Sequence, residues 1–194
     1  MIPGRKVLIP SDVLSRRIAV MGIGLGEKVA SAKGSVVVVC VLKGAVKFTT
    51  ALVSWFPPNY RIDYVKTAGY TEGEANKDGI RMLYDGIEYV DGAYVLVVDD
   101  IGDRRLTFQF LDKVLYERGA KKVENVALLN KPERRECDTV LHYVGFNLRG
   151  SPFVWGSGLD GRDKIQRTRN DPEICYYADY QGEVGYTIPT NLPQ

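Results

Sequence analysis

One stretch of the chain, residues 94–115, constrains the fold more than any other. It begins with YVLVV, and a short apolar run rich in β-branched residues is typical of a buried strand in a parallel sheet. Two adjacent carboxylates follow, Asp99 and Asp100, and a third comes at Asp103. The stretch therefore predicts a buried strand followed by an acidic loop.

The rest of the same stretch predicts a helix that begins at Thr107. Its apolar residues have the spacing of one helical face: Phe108, Leu111, Val114 and Leu115. The acidic loop thus lies between the carboxyl end of a strand and the amino end of a helix. Ligands bind at this position in open α/β sheets, and the amino end of a helix favours an anion.

The three carboxylates of this loop allow two interpretations. An acidic residue after a strand commonly caps the next helix, and a cap uses a single side chain. Adjacent carboxylates raise each other's pKa unless a positive group lies beside them. We therefore favour a divalent metal or a cationic ligand over capping alone.

Length, charge and cysteine content narrow the class of protein. The 194 residues, 45% of them hydrophobic, suffice for one well-filled domain. The formal net charge of +2 gives no electrostatic argument for binding a nucleic acid or a membrane. No run of about 18 apolar residues that could span a membrane is present. The cysteines Cys40, Cys137 and Cys175 are far apart and match no zinc motif, so we expect reduced thiols in a cytoplasmic protein.

The residues before the central stretch predict alternating helices and strands. A helix capped by Ser11 or Asp12 is predicted up to about residue 32, although the glycines of GIGLG weaken this prediction. The apolar run 35–42 predicts a second buried strand, followed by a Lys43-Gly44 turn and a helix. The inward-facing residues of that helix are predicted to be Val46, Thr49, Leu52, Val53 and Phe56.

Further strands are predicted on both sides of the central stretch. They cover residues 61–67, 80–84, 88–90, 123–129, 143–146 and, as an edge strand, 173–177. The polar, glycine-rich segment 68–79 is either an idle surface loop or a lid over a site. The single histidine, His142, lies beside a strand and is predicted to be structural. The tail from Ala178 is expected to be loosely held.

Four motifs, in this order and spacing, resemble those of the hypoxanthine-guanine phosphoribosyltransferases. They are VLKGA (41–45), VVDDIGDRRLT (97–107), LLNKPERR (128–135) and YVGFNLRGSPFVWGSGLD (143–160). The resemblance implies an α/β protein with the type I phosphoribosyltransferase fold, in which a central, mainly parallel sheet is flanked by helices and accompanied by a small hood subdomain. Residues 1–177 would form this single domain, and residues 178–194 a C-terminal tail.

The activity that the resemblance implies is a transfer reaction of purine salvage. Hypoxanthine, guanine or xanthine would react with phosphoribosyl pyrophosphate to give a 6-oxopurine nucleoside 5′-monophosphate and pyrophosphate, with Mg²⁺ as cofactor. The partners would be these small molecules, with no nucleic acid and no membrane. The protein would be a cytoplasmic homodimer or homotetramer.

The resemblance also implies roles for the acidic stretch and for one lysine. Asp103 would be the general base near purine N7. Asp99 and Asp100 would hold the ribose hydroxyls, directly or through the metal. Lys131 would donate to O6 of the base and so select oxopurines over aminopurines. Asp160 would coordinate Mg²⁺ beside the purine.

The remaining implied roles concern the purine and the pyrophosphate. Phe153 would stack on the base, and the backbone of Val154 would read its edge. Lys43 and Gly44 would bind pyrophosphate, and in this family the peptide bond before the lysine can be cis. Arg169 would also bind pyrophosphate, with Arg167 as an alternative. Gly69 and Tyr70 correspond to the Ser-Tyr pair of the family's closing lid.

The chain departs from the family pattern in the 5′-phosphate loop. Arg104 and Arg105 replace the usual Thr-Gly, while Leu106 and Thr107 keep the end of the motif. Three outcomes are open for the two arginines. They would pair with the phosphate, they would point outward and leave the phosphate-binding turn intact, or they would fill that turn and abolish binding. Trp155, in place of a small aliphatic residue, would narrow or reshape the base site.

These departures motivate two alternative functions. One is a non-catalytic, regulatory homologue that binds nucleotides. The other is an enzyme of this fold that acts on a modified purine or an altered sugar donor.

Overall fold

The computed structural model describes residues 4–69, 79–159 and 169–190. The strands in this part of the chain are β1 (Arg5–Ile9), β2 (Val36–Val41), β3 (Arg61–Gly69), β4 (Ile80–Asp85), β5 (Tyr94–Gly102), β6 (Lys122–Asn130), β7 (Tyr143–Arg149), β8 (Val154–Trp155), β9 (Ile174–Tyr177) and β10 (Gly185–Thr187). The helices are α1 (Ser11–Ser31), α2 (Ala45–Val53) and α3 (Leu106–Glu117), and a short 3₁₀ turn covers Pro132–Arg134. None of these helices has the length and apolar character needed to cross a membrane.

Two sheets organise the described residues. The larger sheet has the strand order β10-β7-β6-β5-β2-β3-β4. Its five inner strands run parallel, and β10 and β4 pair antiparallel at the two edges. The smaller sheet has the order β1-β9-β8. The predicted fold, a mainly parallel central sheet with flanking helices, is confirmed.

The central strands are buried on both faces, and their side chains alternate between two apolar cores. Val36 and Val38 face the core that contains the buried residues of α1 and α2. Val37 and Val39 face the other core, which contains those of α3. This alternation explains why the sequences of β2 and β5 read as continuous apolar runs.

Helix α1 is continuous through its glycines, two of which lie closely against the end of α2 and the residues that follow it. A Cβ on Gly22 would lie 2.6 Å from Trp55 Cδ1, and one on Gly26 would lie 2.6 Å from the carbonyl oxygen of Trp55. The predicted cap is wrong, since Pro10 holds the N-cap position and no side-chain hydrogen bond caps this end. The glycines therefore serve the packing of two helices.

Four further expectations are corrected by the structure. Val46 is exposed, and Phe48 is buried in its place. Residues 88–90 form no strand. Strand β9 lies in the middle of the small sheet and is not an edge strand. The described tail is not loosely held, because β10 pairs with β7.

Candidate active site

Strand β5 brings the acidic residues to the carboxyl edge of the sheet. It continues to Gly102, so Asp99 and Asp100 belong to the strand and not to the loop that the sequence predicts. Asp99 pairs with Ala127 of β6 in parallel register. The acidic pair thus lies on the central strand of the sheet, and Asp103 follows directly after it.

Asp99, which is buried, and Asp100, which is partly buried, form a pair of adjacent carboxylates. The N–H of Asp100 donates to Asp99 Oδ1 at 2.9 Å, and the N–H of Ile101 donates to Asp100 Oδ1 at 2.8 Å. Burial, followed by the charge of Asp100, raises the pKa of Asp99 well above its ordinary value. Burial also raises the pKa of Asp100, against the opposing charge of Arg169. A bound cation would relieve the mutual repulsion of this pair.

The turn before α2 lies against the acidic pair. The peptide bond between Leu42 and Lys43 is cis, as the resemblance implies. A Cβ on Gly44 would lie 1.7 Å from Asp100 Oδ2, so no larger residue fits there without movement. Arg169 Nη1 donates to the carbonyl oxygen of Lys43 at 3.4 Å. The three residues predicted to bind pyrophosphate therefore lie together.

A single cleft of about 630 Å³ joins these groups to the predicted base site. Its lining includes Lys43, Gly44, Lys66, Asp100, Ile101, Asp103, Lys131, Arg134, Ser151, Phe153, Val154, Leu159 and Arg169. This volume is within the range of ligand-binding pockets. The predicted general base and the described residues predicted to bind the purine and the pyrophosphate thus line one cavity.

Asp103 forms an ion pair with Arg134, a residue to which the sequence motifs assigned no role. Arg134 Nε approaches Asp103 Oδ1 at 2.9 Å. The contact is ionic, because Asp103 Oδ1 finds no aligned hydrogen-bond donor among the described residues. Arg134 is part of the LLNKPERR motif, and its position after the end of β6 is the signal that could have identified it. Lys66, the other cation missed in the cleft, carries no such motif.

Lys131 is buried at the end of β6 and is oriented by the backbone. It is 6% exposed, and its Nζ donates to the carbonyl oxygen of Pro152 at 3.0 Å. Burial lowers the pKa of Lys131, while the charge of Asp103 opposes this effect. The ammonium group is thus fixed beside the segment that contains Phe153 and Val154.

Phe153 of the predicted purine site belongs to a cluster of three aromatic rings. Phe153 is 42% exposed, and its ring centroid lies 6.2 Å from that of Tyr177. The fully buried ring of Trp155 also contacts Tyr177, with ring centroids 5.7 Å apart. Trp155 is not part of the described cleft lining and so does not narrow the base site directly, whereas a reshaping of that site through its contact with Tyr177 stays a prediction.

The turn at the start of α3 encloses a second cavity of about 120 Å³. Arg104, Arg105, Leu106 and Thr107 all line it. No side-chain hydrogen bond caps α3 among the described residues, so the N–H groups of its first turn are available to an anion. The arginine pair does not fill this space.

Three residues considered in the sequence interpretation, Asp160, Arg167 and Tyr70, lie outside the described residues. His142 has the predicted structural role, since its Nδ1 accepts a hydrogen bond from the N–H of Asn125 at 3.0 Å.

A parallel sheet with an acidic pair at its carboxyl edge, facing a Lys-Gly turn, is the architecture of a type I phosphoribosyltransferase. In agreement with it, the model of the family described as "Phosphoribosyl transferase domain" matches residues 24–160. The hypoxanthine phosphoribosyltransferase of Salmonella typhimurium is 30% identical over 169 residues, which cover 87% of this chain and 93% of that protein.

A longer protein and a solved structure extend the comparison. The bifunctional protein TilS/HprT of Listeria monocytogenes is 34% identical over 170 residues, and the match spans 25% of its length. A crystal structure of a hypoxanthine-guanine phosphoribosyltransferase from Bacillus anthracis has a TM-score of 0.79 at 28% identity, covering 91% of this chain and 99% of that one. The chain belongs to the phosphoribosyltransferase family, within the hypoxanthine-guanine phosphoribosyltransferases.

Proposed function

We propose that this protein transfers the phosphoribosyl group of phosphoribosyl pyrophosphate to N9 of a 6-oxopurine. The products are a nucleoside 5′-monophosphate and pyrophosphate. The observation that carries this proposal is the single cleft in which Asp103, Lys131, Lys43 and Arg169 meet. It brings together an acid–base group, a donor for the base and two cations for the leaving group.

The base site is proposed to distinguish oxopurines from aminopurines. Lys131 donates to O6 of hypoxanthine, guanine or xanthine, whereas the amino group of adenine offers this buried ammonium group no acceptor on the base. Its hydrogen bond to the carbonyl of Pro152 supports this role, because it fixes the ammonium beside Phe153, whose half-exposed ring stacks on the purine. The backbone of Val154 contacts the purine edge.

Asp103 is proposed to act as the general base near N7 of the purine. The bond from the sugar C1 to pyrophosphate breaks with oxocarbenium character, so the protein must hold base and sugar in line. Asp99 and Asp100 hold the ribose hydroxyls, and the α3 turn receives the 5′-phosphate. Lys43, Gly44 and Arg169 bind the pyrophosphate that leaves.

The residues present fit a magnesium ion. Asp99 and Asp100 are adjacent carboxylates at the edge of the cleft, and burial is the main cause of the raised pKa of each, since it disfavours the charged forms. Carboxylates together with substrate phosphate oxygens are the ligands that Mg²⁺ prefers. When bound, the ion neutralises charge on the leaving diphosphate. Asp160, which the family pattern assigns to the metal, is proposed as a further ligand.

The localisation and the oligomeric state are proposed from two observations. Cys40, Cys137 and Cys175 are free thiols, as expected in the cytoplasm. We propose a homodimer or homotetramer, in which the half-exposed Trp55 would lie at the contact between subunits. Light scattering on the purified protein measures the oligomeric state.

A spectrophotometric assay tests the proposed reaction. The protein is incubated with Mg²⁺, phosphoribosyl pyrophosphate and hypoxanthine, guanine, xanthine or adenine in turn. We expect nucleotide from one or more oxopurines and little from adenine. If no nucleotide forms from any of the four bases, the proposal is contradicted. The remaining functions are then a regulatory homologue that binds nucleotides and an enzyme that acts on a modified purine or an altered sugar donor. Calorimetric titration with phosphoribosyl pyrophosphate then distinguishes those two.

A further inference from the structure

Arg105 has a backbone conformation that side chains with a Cβ rarely adopt. Its φ is 66° and its ψ is 6°, which is the left-handed region. It is also the N-cap residue of α3, and its carbonyl oxygen accepts the N–H of Gln109 at 3.1 Å. Arg105 therefore sets the direction of the chain where the turn after Asp103 becomes a helix.

Two neutral acceptors hold the side chain of Arg105. Nη1 donates to the carbonyl oxygen of Thr139 at 3.0 Å, and Nη2 donates to Asn130 Oδ1 at 3.3 Å. Asn130 is itself buried and donates to Asn147 Oδ1 at 2.7 Å. A chain of hydrogen bonds thus runs from the α3 turn to the ends of β6 and β7.

The electrostatic environment of Arg105 is unfavourable. No carboxylate of the described residues forms an ion pair with its guanidinium, and its buried Nε meets no acceptor there. Burial and the charge of Arg135 lower the pKa of Arg105. The partly buried charge of Arg105, unpaired among the described residues, is unfavourable for stability. Its two hydrogen bonds are the contacts that can compensate for this.

The neighbouring Arg104 differs in each respect. It is exposed, its Nη1 lies 3.5 Å from Glu136 Oε2, and it is the residue nearest to the position of a Cβ on Gly69. Arg104 is therefore free to approach a phosphate without breaking a buried contact. Arg105 would have to leave both acceptors, which would strand the buried Asn130 Oδ1 without its donor.

We propose that Arg105 is a positioning residue, which holds the 5′-phosphate turn in its binding conformation through Asn130 and Thr139 and does not contact the phosphate. This inference rests on the proposed function, because it concerns the site for the phosphoribosyl donor. It explains how the chain keeps an open phosphate cavity without the glycine that the family motif has at this position.

A double-mutant cycle tests the tether. Arg105→Ala, Asn130→Ala and the double variant are compared with the original protein by KM for phosphoribosyl pyrophosphate and by kcat. Alanine is suitable because it retains the Cβ and therefore the same backbone constraint as arginine. We expect each single variant to raise this KM about tenfold with little change in kcat, because both lose the bond between Arg105 and Asn130, although Arg105→Ala also loses Thr139 and Asn130→Ala also loses Asn147. Because that bond is shared, the KM increase of the double variant should be clearly smaller than the product of the two single increases.

Two controls separate the tether from a direct role of the charge. Arg105→Lys keeps the charge but not the planar fork, so we expect it to resemble Arg105→Ala. Arg104→Ala removes an equal charge from the adjacent position, and its effect should multiply with that of Asn130→Ala. Restoration of the original KM by lysine overturns the proposal, as does an Asn130→Ala protein with an unchanged KM. Thermal unfolding of every variant shows whether it folds.

Calorimetric titration of the same proteins with phosphoribosyl pyrophosphate separates this inference from the proposed function. If the original protein forms no nucleotide from any base, the proposed function fails, yet the same non-additive pattern in Kd upholds the tether. If the original protein does not bind phosphoribosyl pyrophosphate, both fail.

Discussion

Asp103 stands between the acidic pair on β5 and the helix that follows, and its role is the sharpest residue-level prediction. Replacement by asparagine preserves the shape of the side chain but removes the basic group. We expect Asp103→Asn to lower kcat by about a hundredfold or more, with a much smaller change in either KM. Asp12→Asn, on the exposed surface of α1, is the matched control. Full activity of Asp103→Asn would remove Asp103 from the mechanism.

Lys131 is predicted to set the choice of base. Lys131→Ala should lower the ratio of kcat/KM for hypoxanthine to that for adenine by about tenfold or more, because the donor to O6 is lost. Lys66→Ala serves as control, since Lys66 lines the same cleft. We expect that variant to keep the ratio, whatever happens to its rate. An unchanged ratio for Lys131→Ala contradicts the assignment of the base site.

The buried charge of Asp99 predicts a dependence of stability on pH. Because the folded-state pKa of Asp99 lies above the unfolded-state value, the folded protein retains a proton that the unfolded chain has lost. The stability contributed by this group therefore falls as pH rises from about 4 through the folded-state pKa. Asp99→Asn should gain unfolding temperature relative to the original protein over this range, in buffer free of Mg²⁺. A difference that stays constant with pH contradicts this prediction.

At the scale of elements, the contact between the Lys43-Gly44 turn and β5 is the tightest that the site depends on. A methyl group on Gly44 would lie 1.7 Å from Asp100 Oδ2, so Gly44→Ala must displace the turn or the carboxylate. We expect kcat/KM for phosphoribosyl pyrophosphate to fall by about a hundredfold, as for other displacements of about 1 Å. Gly185→Ala is the control, because its nearest contact is Arg149 Cδ at 3.8 Å. Equal activity of the two variants would show that the turn adapts.

Elements with a strong local pattern could be predicted from the sequence. The apolar runs of β2, β5 and β6 and the helical spacing of α3 led to correct assignments, because burial on both faces or on one stripe leaves a direct trace in sequence. The continuation of β5 through Asp99 and Asp100 could not be foreseen, since acidic residues usually end a strand. Its pairing with β6 holds it extended.

Other elements depend on contacts that sequence patterns do not record. The glycines of α1 argued against a helix, yet two of them, Gly22 and Gly26, are required by the packing of Trp55. In α2 the inward face includes Phe48 and not Val46, because the helix begins at Ala45 with an orientation set by the turn before it. The predicted cleft residues were found from motifs. Arg134 also lies within one of these motifs, but its ion pair with Asp103 is evident only in the structure.

At the scale of the whole molecule, the tail closes the sheet and connects it to α1. The buried Arg17 donates to the carbonyl oxygens of Gly145 at 2.9 Å, Val144 at 2.8 Å and Pro189 at 3.1 Å. Tyr186 of β10 packs edge-on against Phe146, with ring centroids 5.5 Å apart. One side chain thus holds α1, β7 and the tail together.

Truncation after Val184 tests the contribution of the tail. It removes β10, the ring contact and one acceptor of Arg17, which together stabilise the fold by about 2 kcal/mol. We expect the unfolding temperature to fall by about 4–8 °C in calorimetry. Truncation after Thr190, which retains β10 and Pro189, should leave it almost unchanged. Identical unfolding temperatures for the two truncated proteins contradict this role.

The aromatic rings of Phe153, Tyr177 and Trp155 beside the predicted base site provide an intrinsic fluorescence signal for base binding. The sequence contains two tryptophans, and Trp55 is half exposed whereas Trp155 is fully buried. A Trp55→Phe protein therefore has a single tryptophan, Trp155, whose ring contacts Tyr177, as does the ring of Phe153. Because a purine is proposed to stack on Phe153, we expect base binding to change the tryptophan fluorescence of this variant, which can be followed without any added label.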